Sequence, residues 1–247
     1  MAGSAMTLLA AVAFVYQLPS TFFPHVEGPA WLDWLAFTVL YMAYAAVSLP
    51  FDVWAGYWLP CRHQRACRLL PVYLGTVFRA ESAQFAVMTL SAVALLEAGR
   101  RWGAAGTLAA FGAAQLMLVL LHSRLARYLG VAASPMPLRH WLPAAGWNLA
   151  SLALVLQLPW CGPATVHQLV EALLGCALLS LPGYWLLRRL SRGAAGAMLY
   201  LSWAGFGLFS RITPERLGLP EGWIEPEAGR PAHWARNELA ASQITST

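Results

Sequence analysis

VSLPFDVWAGYWLPCRHQRACRLL, residues Val47 to Leu70, decides how the rest of the chain is read. It opens at the end of one long apolar run and closes just before the next. Within it lie a Pro-Phe-Asp corner (Pro50, Phe51, Asp52), three aromatics (Trp54, Tyr57, Trp58), a second proline (Pro60) and three arginines (Arg62, Arg65, Arg68). Aromatic rings sit at headgroup depth and arginines in the water beyond, so this order marks a chain leaving a bilayer on its cytoplasmic face. Trp54, Trp58, Arg62, Arg65 and Arg68 therefore read as a cytoplasmic interface anchor.

Composition supports lipid as the solvent. Of 247 residues, 59% are apolar and 11% charged, against about 45–50% and about 25% in soluble domains. A chain so apolar cannot hide its surface in one soluble core. All 16 basic residues are arginine, and the net charge is +5. In a soluble protein that excess would suggest nucleic acid. Here the arginines fall in short loops between apolar runs, where the positive-inside bias accounts for them, and no nucleic-acid partner is expected. The apolar segment Met6–Leu18 has no Lys or Arg before it, so it reads as a span and not as a cleaved signal.

A spanning helix takes about 20 mostly apolar residues, and the chain offers about seven such units. They are Met6–Phe23, Trp31–Leu49 (stopped by Pro50), Pro71–Leu96, Gly103–Leu121, Trp141–Leu158, His167–Leu187 and Ala194–Phe209. The third carries Arg79 and Glu81 in its first half, which leaves open whether it crosses fully. The fourth is rich in Ala and Gly, the residues that let helix backbones approach closely. Loop charges fit an alternating layout. Arg62, Arg65 and Arg68 follow the second span, Arg124, Arg127 and Arg139 the fourth, and Arg188, Arg189 and Arg192 the sixth, whereas the opposite connections hold only Arg100 and Arg101. The expectation is an all-α polytopic transmembrane bundle over residues 1–210 in a bacterial inner membrane, N-terminus inside. Residues 211–247, with four prolines and alternating charges, read as an extended tail outside. Trp223 and Trp234 in that tail are candidate docking residues for a protein partner, since Trp is favoured in interface cores.

Ionisable groups inside a bilayer are costly and each is a candidate site. Arg79 and Glu81 are two apart, so neither can pair with the other along one helix. Glu97 and Arg101, four apart, suit an ordinary helix-end pair, and Asp33 near a span start suits a helix N-terminus. His167 and Glu171 share one face of the sixth span at i and i+4. That spacing resembles the zinc helix H-E-x-x-H, but the residues run His-Gln-Leu-Val-Glu, without the general-base Glu and the second His. Arg79, Glu81, His167 and Glu171 together form the candidate polar intramembrane site. Cys61, His63 and Cys67 lack a fourth zinc ligand, so no metal site is assigned. There is no phosphate loop and no nucleophile elbow, and no catalytic residue is assigned. No histidine pair sits mid-span as haem would need, although a pigment with one axial ligand stays open, and the cofactor is unknown.

SLPFDVWAGY at Ser48–Tyr57 resembles a corner in the integral-membrane zinc endopeptidases that trim prenylated CaaX proteins, and LVEALLGCALLSLPGYWLLRRL at Leu169–Leu190 is similar to the span after that family's metal helix. The resemblance implies a seven-span frame. It does not carry the family's chemistry, because no H-E-x-x-H occurs, and after Ser210-Arg211 the carboxylate, Glu215, comes one position late. The sequence thus points first to a non-catalytic scaffold or accessory subunit of a membrane complex, on a degenerate frame of this kind. A membrane enzyme acting on a lipid or isoprenoid is the alternative, and a small-molecule transporter, with Pro50 and Pro182 as helix breaks, the third.

Overall fold

The structure, a computed structural model, describes residues 2–23, 30–58, 62, 70–128 and 137–202. Among these residues the elements are helical and there is no strand. In chain order they are α1 (Ala2–Val15), α2 (Leu18–Phe22), α3 (Ala30–Val53), a wide π turn (Trp54–Trp58), α4 (Leu70–Tyr128), α5 (Leu138–Val155), α6 (Val166–Leu190) and α7 (Arg192–Leu201). Two stretches, Leu70–Leu125 and Val166–Leu190, are long and apolar enough to cross a membrane. The tail tryptophans Trp223 and Trp234, together with Arg65, Arg68 and the Cys61–His63–Cys67 group, lie outside the described residues.

Three of the expected boundaries change. The first apolar run does not form one helix over Met6–Phe23, because Gln17 adopts a left-handed conformation (φ 50°, ψ 41°) between α1 and α2. A non-glycine residue there is strained by roughly 1–2 kcal/mol. Pro19, which lacks an N–H, then fits the first turn of α2, where no donor is needed. The Ser20 hydroxyl donates to the Gln17 carbonyl at 2.7 Å and closes the turn.

Pro50 does not stop α3. The helix runs through it to Val53, so Pro50-Phe51-Asp52 is helical and not a corner. Proline removes one backbone donor and crowds the carbonyl four residues back. The backbone widens into the π turn within the next turn, which is where such an irregularity is accommodated.

The third and fourth runs form two helical arms of α4 joined directly at Gly103, where the backbone leaves helical geometry and the chain doubles back. Gly103 has φ 63° and ψ −151°, a region open essentially to glycine alone. Gly106 is equally required, since a Cβ there would overlap the Ala98 carbonyl oxygen of the other arm. Arms 70–102 and 104–128 consequently pack antiparallel, each longer than the roughly 20 residues a membrane crossing needs.

α6, in contrast, spans nearly the residues expected from the sequence. Thr165 caps its start, accepting from the Gln168 N–H at 3.4 Å, and Arg188 and Arg189 occupy its last turn. Positive side chains there suit the negative end of the helix dipole. Pro182 lies inside an unbroken helix, and the Trp147 indole of α5 donates to the nearby Leu179 carbonyl at 2.9 Å.

Two cores hold the helices together. Phe37 of α3, Leu95, Leu96 and Phe111 of α4, Leu152 of α5 and Leu169 and Leu173 of α6 form one. Trp141 and Ala144 of α5, Leu187 of α6 and Met198, Tyr200 and Leu201 of α7 form the other. Ala80, Ala144 and Ala197 are wholly buried, which brings backbones close at that contact. The outward faces also carry many large apolar side chains. Leu35, Val39, Phe78, Leu90, Leu120, Leu154 and Trp185 are all exposed.

The packing sets helix direction. Tyr41 meets Glu81 and Asp33 meets Arg100, so α3 runs antiparallel to the first arm of α4. Trp147 meets Leu179 and His140 meets Ser191, so α5 runs antiparallel to α6. The C-termini of α4 and α6 and the N-termini of α5 and α7 therefore share one end of the bundle, the end that carries Arg124, Arg139, Arg188 and Arg189. Gly103, Asp33 and the start of α6 lie at the other.

Candidate functional site: an apolar pocket with polar groups around it

A pocket of about 380 Å³ opens between α1, α3, the first arm of α4 and α6. Small residues make the space: Ala13 of α1, Ala43 of α3, Ala92 of α4 and Ala177 of α6. Leu9, Leu40, Leu173 and Met88 supply much of the remaining wall. Its polar groups are few. They are the hydroxyls of Tyr41, Tyr44 and Thr89, and among the described residues no carboxylate, imidazole or thiol lines it. Thr89 is 2% exposed and its hydroxyl has no hydrogen-bond partner. The volume and the mostly apolar wall with a few placed polar atoms fit the usual small-molecule site, roughly 300–1,000 Å³.

The tyrosines connect this pocket to the charged residues of α4. The Tyr41 hydroxyl donates to a Glu81 carboxylate oxygen at 2.6 Å and lies 2.8 Å from the Glu81 backbone carbonyl. The other Glu81 oxygen is buried without a partner. The Gln84 amide donates to the Tyr44 hydroxyl at 3.4 Å. Tyr41, Tyr44 and Phe85 pack as tilted and edge-on rings 5.2–6.0 Å apart, which fixes the two phenols. Glu81 thus finds the partner on another helix that its position demands, whereas Arg79 is exposed.

His167 and Glu171 lie elsewhere. His167 Nε2 is 3.4 Å from the Thr165 hydroxyl at the start of α6, and its Nδ1 is buried without a partner. Glu171 is 1% exposed and neither carboxylate oxygen has one. Arg100 donates to the Ala164 carbonyl at 3.2 Å, so this end of α6 sits level with Arg100. Glu81 is nineteen residues before Arg100 on one uninterrupted arm, roughly 28 Å at 1.5 Å per residue. The four candidate residues therefore form two separate groups. Arg79 and Glu81 lie toward the arginine-bearing end, and His167 and Glu171 lie near the other. Among the described residues no three His, Cys, Asp or Glu side chains gather as a metal-binding group.

The strongest polar contact escapes a reading of single helices. Asp33 is 1% exposed and accepts from both terminal guanidinium nitrogens of Arg100, at 2.5 and 3.1 Å. Glu97 adds weaker contacts to Arg100 at 3.5 Å and Arg101 at 3.7 Å, the second being the helix-end pair expected from the spacing. Under the alternating layout the start of the second span and the end of the third fall on the same side, which was the one available sign that Asp33 and Arg100 could meet.

Cys161, in the loop before α6, is buried. Burial, with the Glu171 carboxylate nearby, pushes its thiol up to about 11. At the opposite end Trp54 and Trp58 stack with ring centres 4.6 Å apart, and the Arg62 guanidinium lies 5.0 Å from the Trp58 ring centre. This brings three of the five anchor residues into one cation–π cluster. Comparison with protein-family models, curated proteins and solved structures finds no match.

Proposed function

We propose that this protein is an integral membrane protein that holds one amphiphile with a long apolar chain, a lipid or an isoprenoid, in the pocket between α1, α3, α4 and α6. The observation that carries the reading is the pocket itself, about 380 Å³ of apolar wall with only three hydroxyls. Such a wall grips a hydrocarbon chain by dispersion and by release of its apolar surface, while Thr89, Tyr41 and Tyr44 orient a hydrogen-bonding group on it. The lining offers no acid or base stronger than a hydroxyl, so its chemistry is binding and orientation.

Exposed leucine, valine and tryptophan on the outer faces support lipid as the surroundings. The clustering of Arg124, Arg139, Arg188 and Arg189 at one end supports a bacterial inner-membrane bundle of about seven crossings with that end in the cytoplasm. Purification in mild detergent followed by lipid mass spectrometry tests the proposal. The wild-type chain is expected to retain one class of amphiphile, and the Ala43→Phe, Ala177→Phe double variant to lose it while keeping its helical circular dichroism. An empty wild-type protein, or full retention in the filled variant, would sink the reading. The mass of the retained molecule separates fatty-acyl lipid from isoprenoid.

A second reading, an accessory subunit of a membrane complex, is favoured by one specific feature. Ala105, Ala109 and Ala113 of the second α4 arm recur every fourth residue and are exposed. This small-residue stripe would let a partner helix approach closely. Cross-linking from cysteines placed at these positions in native membranes tests it, and absence of any adduct at all three would remove it.

A further inference from the structure

Between the two arms of α4, beside the end of α7, lies a cavity of about 30 Å³. Gln84 and Ser91 of the first arm, Phe111 and Gln115 of the second, and Tyr200 and Ser202 contribute to its wall. Gln84 and Gln115 are 1% and 3% exposed. The side-chain oxygen of Gln84 and both polar side-chain atoms of Gln115 nevertheless have no hydrogen-bond partner. Two such amides facing a dry cavity would each forfeit the hydration of the unfolded chain with nothing in exchange.

The chemistry of the wall selects the occupant. The Gln84 nitrogen is turned toward the Tyr44 hydroxyl at 3.4 Å and the Met88 sulfur at 3.7 Å, which leaves its oxygen as an acceptor toward the cavity. Gln115 offers an acceptor oxygen and a donor NH2 nitrogen. The occupant must therefore donate to Gln84 and both donate to and accept from Gln115, and it must be small. A water molecule needs roughly 10–15 Å³ of such space and two to four polar partners. Both conditions are met.

We propose that this cavity is a hydration site, holding one or two water molecules that bridge the side-chain amides of Gln84 and Gln115. The two amides at the middle of the α4 hairpin are then joined through water and not by a direct hydrogen bond. Such a bridge is nearly as favourable in enthalpy as a direct hydrogen bond. The cavity is separate from the apolar pocket across the first arm, so the inference does not depend on what that pocket holds.

Radiolytic hydroxyl labelling of the full chain in lipid nanodiscs tests it. Radicals formed from water in the cavity would modify Phe111, which is 1% exposed and out of reach of bulk water. The expected result is clear modification of Phe111 in the wild type and its loss in Gln115→Leu, whose side chain removes the polar partners and occupies the space, with modification of Tyr128 unchanged. Phe111 left unmodified in the wild type, or modified equally in both proteins, overturns the proposal. Should Gln115→Leu fail to fold, a high-resolution map of the wild type decides instead. Density bridging the two amides supports the site, and a direct Gln84–Gln115 contact without such density overturns it.

Discussion

At the Gly103 end of the bundle Arg100 gives two hydrogen bonds to Asp33 and a third to the Ala164 carbonyl, whereas midway along the same arm Gln84 and Thr89 are buried with polar atoms left over, as is Gln115 opposite. The two regions share one helix and differ in what meets their polar groups: at the end a partly exposed guanidinium satisfies Asp33, although His167 and Glu171 nearby keep buried atoms without partners, whereas Gln84, Thr89 and Gln115 border cavities. The end is closed: one guanidinium ties α3, α4 and the loop before α6 to each other. The middle borders two cavities, which the readings proposed above fill with an apolar chain on one face of the arm and water on the other. Stability should therefore depend mainly on the end and occupancy mainly on the middle.

Removing the guanidinium gives the sharpest test of that division. Arg100→Ala removes the partner of the buried Asp33 carboxylate, and because the Arg100 side chain is itself partly exposed the expected cost lies between that of a surface and a buried pair, about 1–3 kcal/mol. Thermal unfolding in detergent checks this, and an unchanged Tm would erase the contrast between the two regions. Arg100→Lys keeps the charge but not the two-pronged geometry, and is expected to fall between.

Cys161 offers a kinetic version of the same contrast, because its loop belongs to the closed end. With its thiol pushed up to about 11, against 9.0 for the free group, it holds roughly a hundredfold less thiolate than a free cysteine at pH 8. Maleimide labelling of Cys161 in the folded protein should be slower by about that factor and recover on unfolding. Reaction at the rate of a free cysteine at pH 8 would mean that this end opens in solution.

Gly103→Ala forces a Cβ into a backbone region reserved for glycine and is expected to cost roughly 1–3 kcal/mol. A loss of that size, read from denaturant unfolding, would assign the hairpin turn to the closed end. No loss would mean that the turn has other conformations of equal energy. The smallest effect belongs to the middle. Thr89→Val keeps shape and drops one hydroxyl, so stability should change by less than about 1 kcal/mol while the bound amphiphile weakens up to roughly tenfold. Lipid retention and Tm measured together separate the two effects, and a large fall in Tm would move Thr89 into the structural set.

Much of the helical layout was legible along the chain. His167–Leu187 matched α6 within three residues because a capping threonine and two arginines mark its ends locally. The first run misled because a left-handed Gln17 is a backbone event that its apolar neighbours do not announce. Pro50 misled in the other direction, since a proline costs one hydrogen bond and a widened turn can take up the distortion. Among the candidate site residues, Glu81 was legible as a group in need of a partner, but not that the partner would be Tyr41. His167 and Glu171 were legible as sharing a face, but not that they lie far from Glu81.

The sequence alone determined the all-helical class, the presence of helices long and apolar enough to cross a membrane, and the segregation of arginines into alternate connections, because these depend on composition and on charges counted along the chain. Only the tertiary structure decided that Asp33 meets Arg100, that both arms stay helical up to a single break at Gly103, and that small residues from four helices leave an apolar pocket while two glutamines face a separate cavity. Those features come from side chains distant in sequence meeting in space. Pairing of that kind depends on helix rotation and packing, which periodicity along one strand of text does not encode.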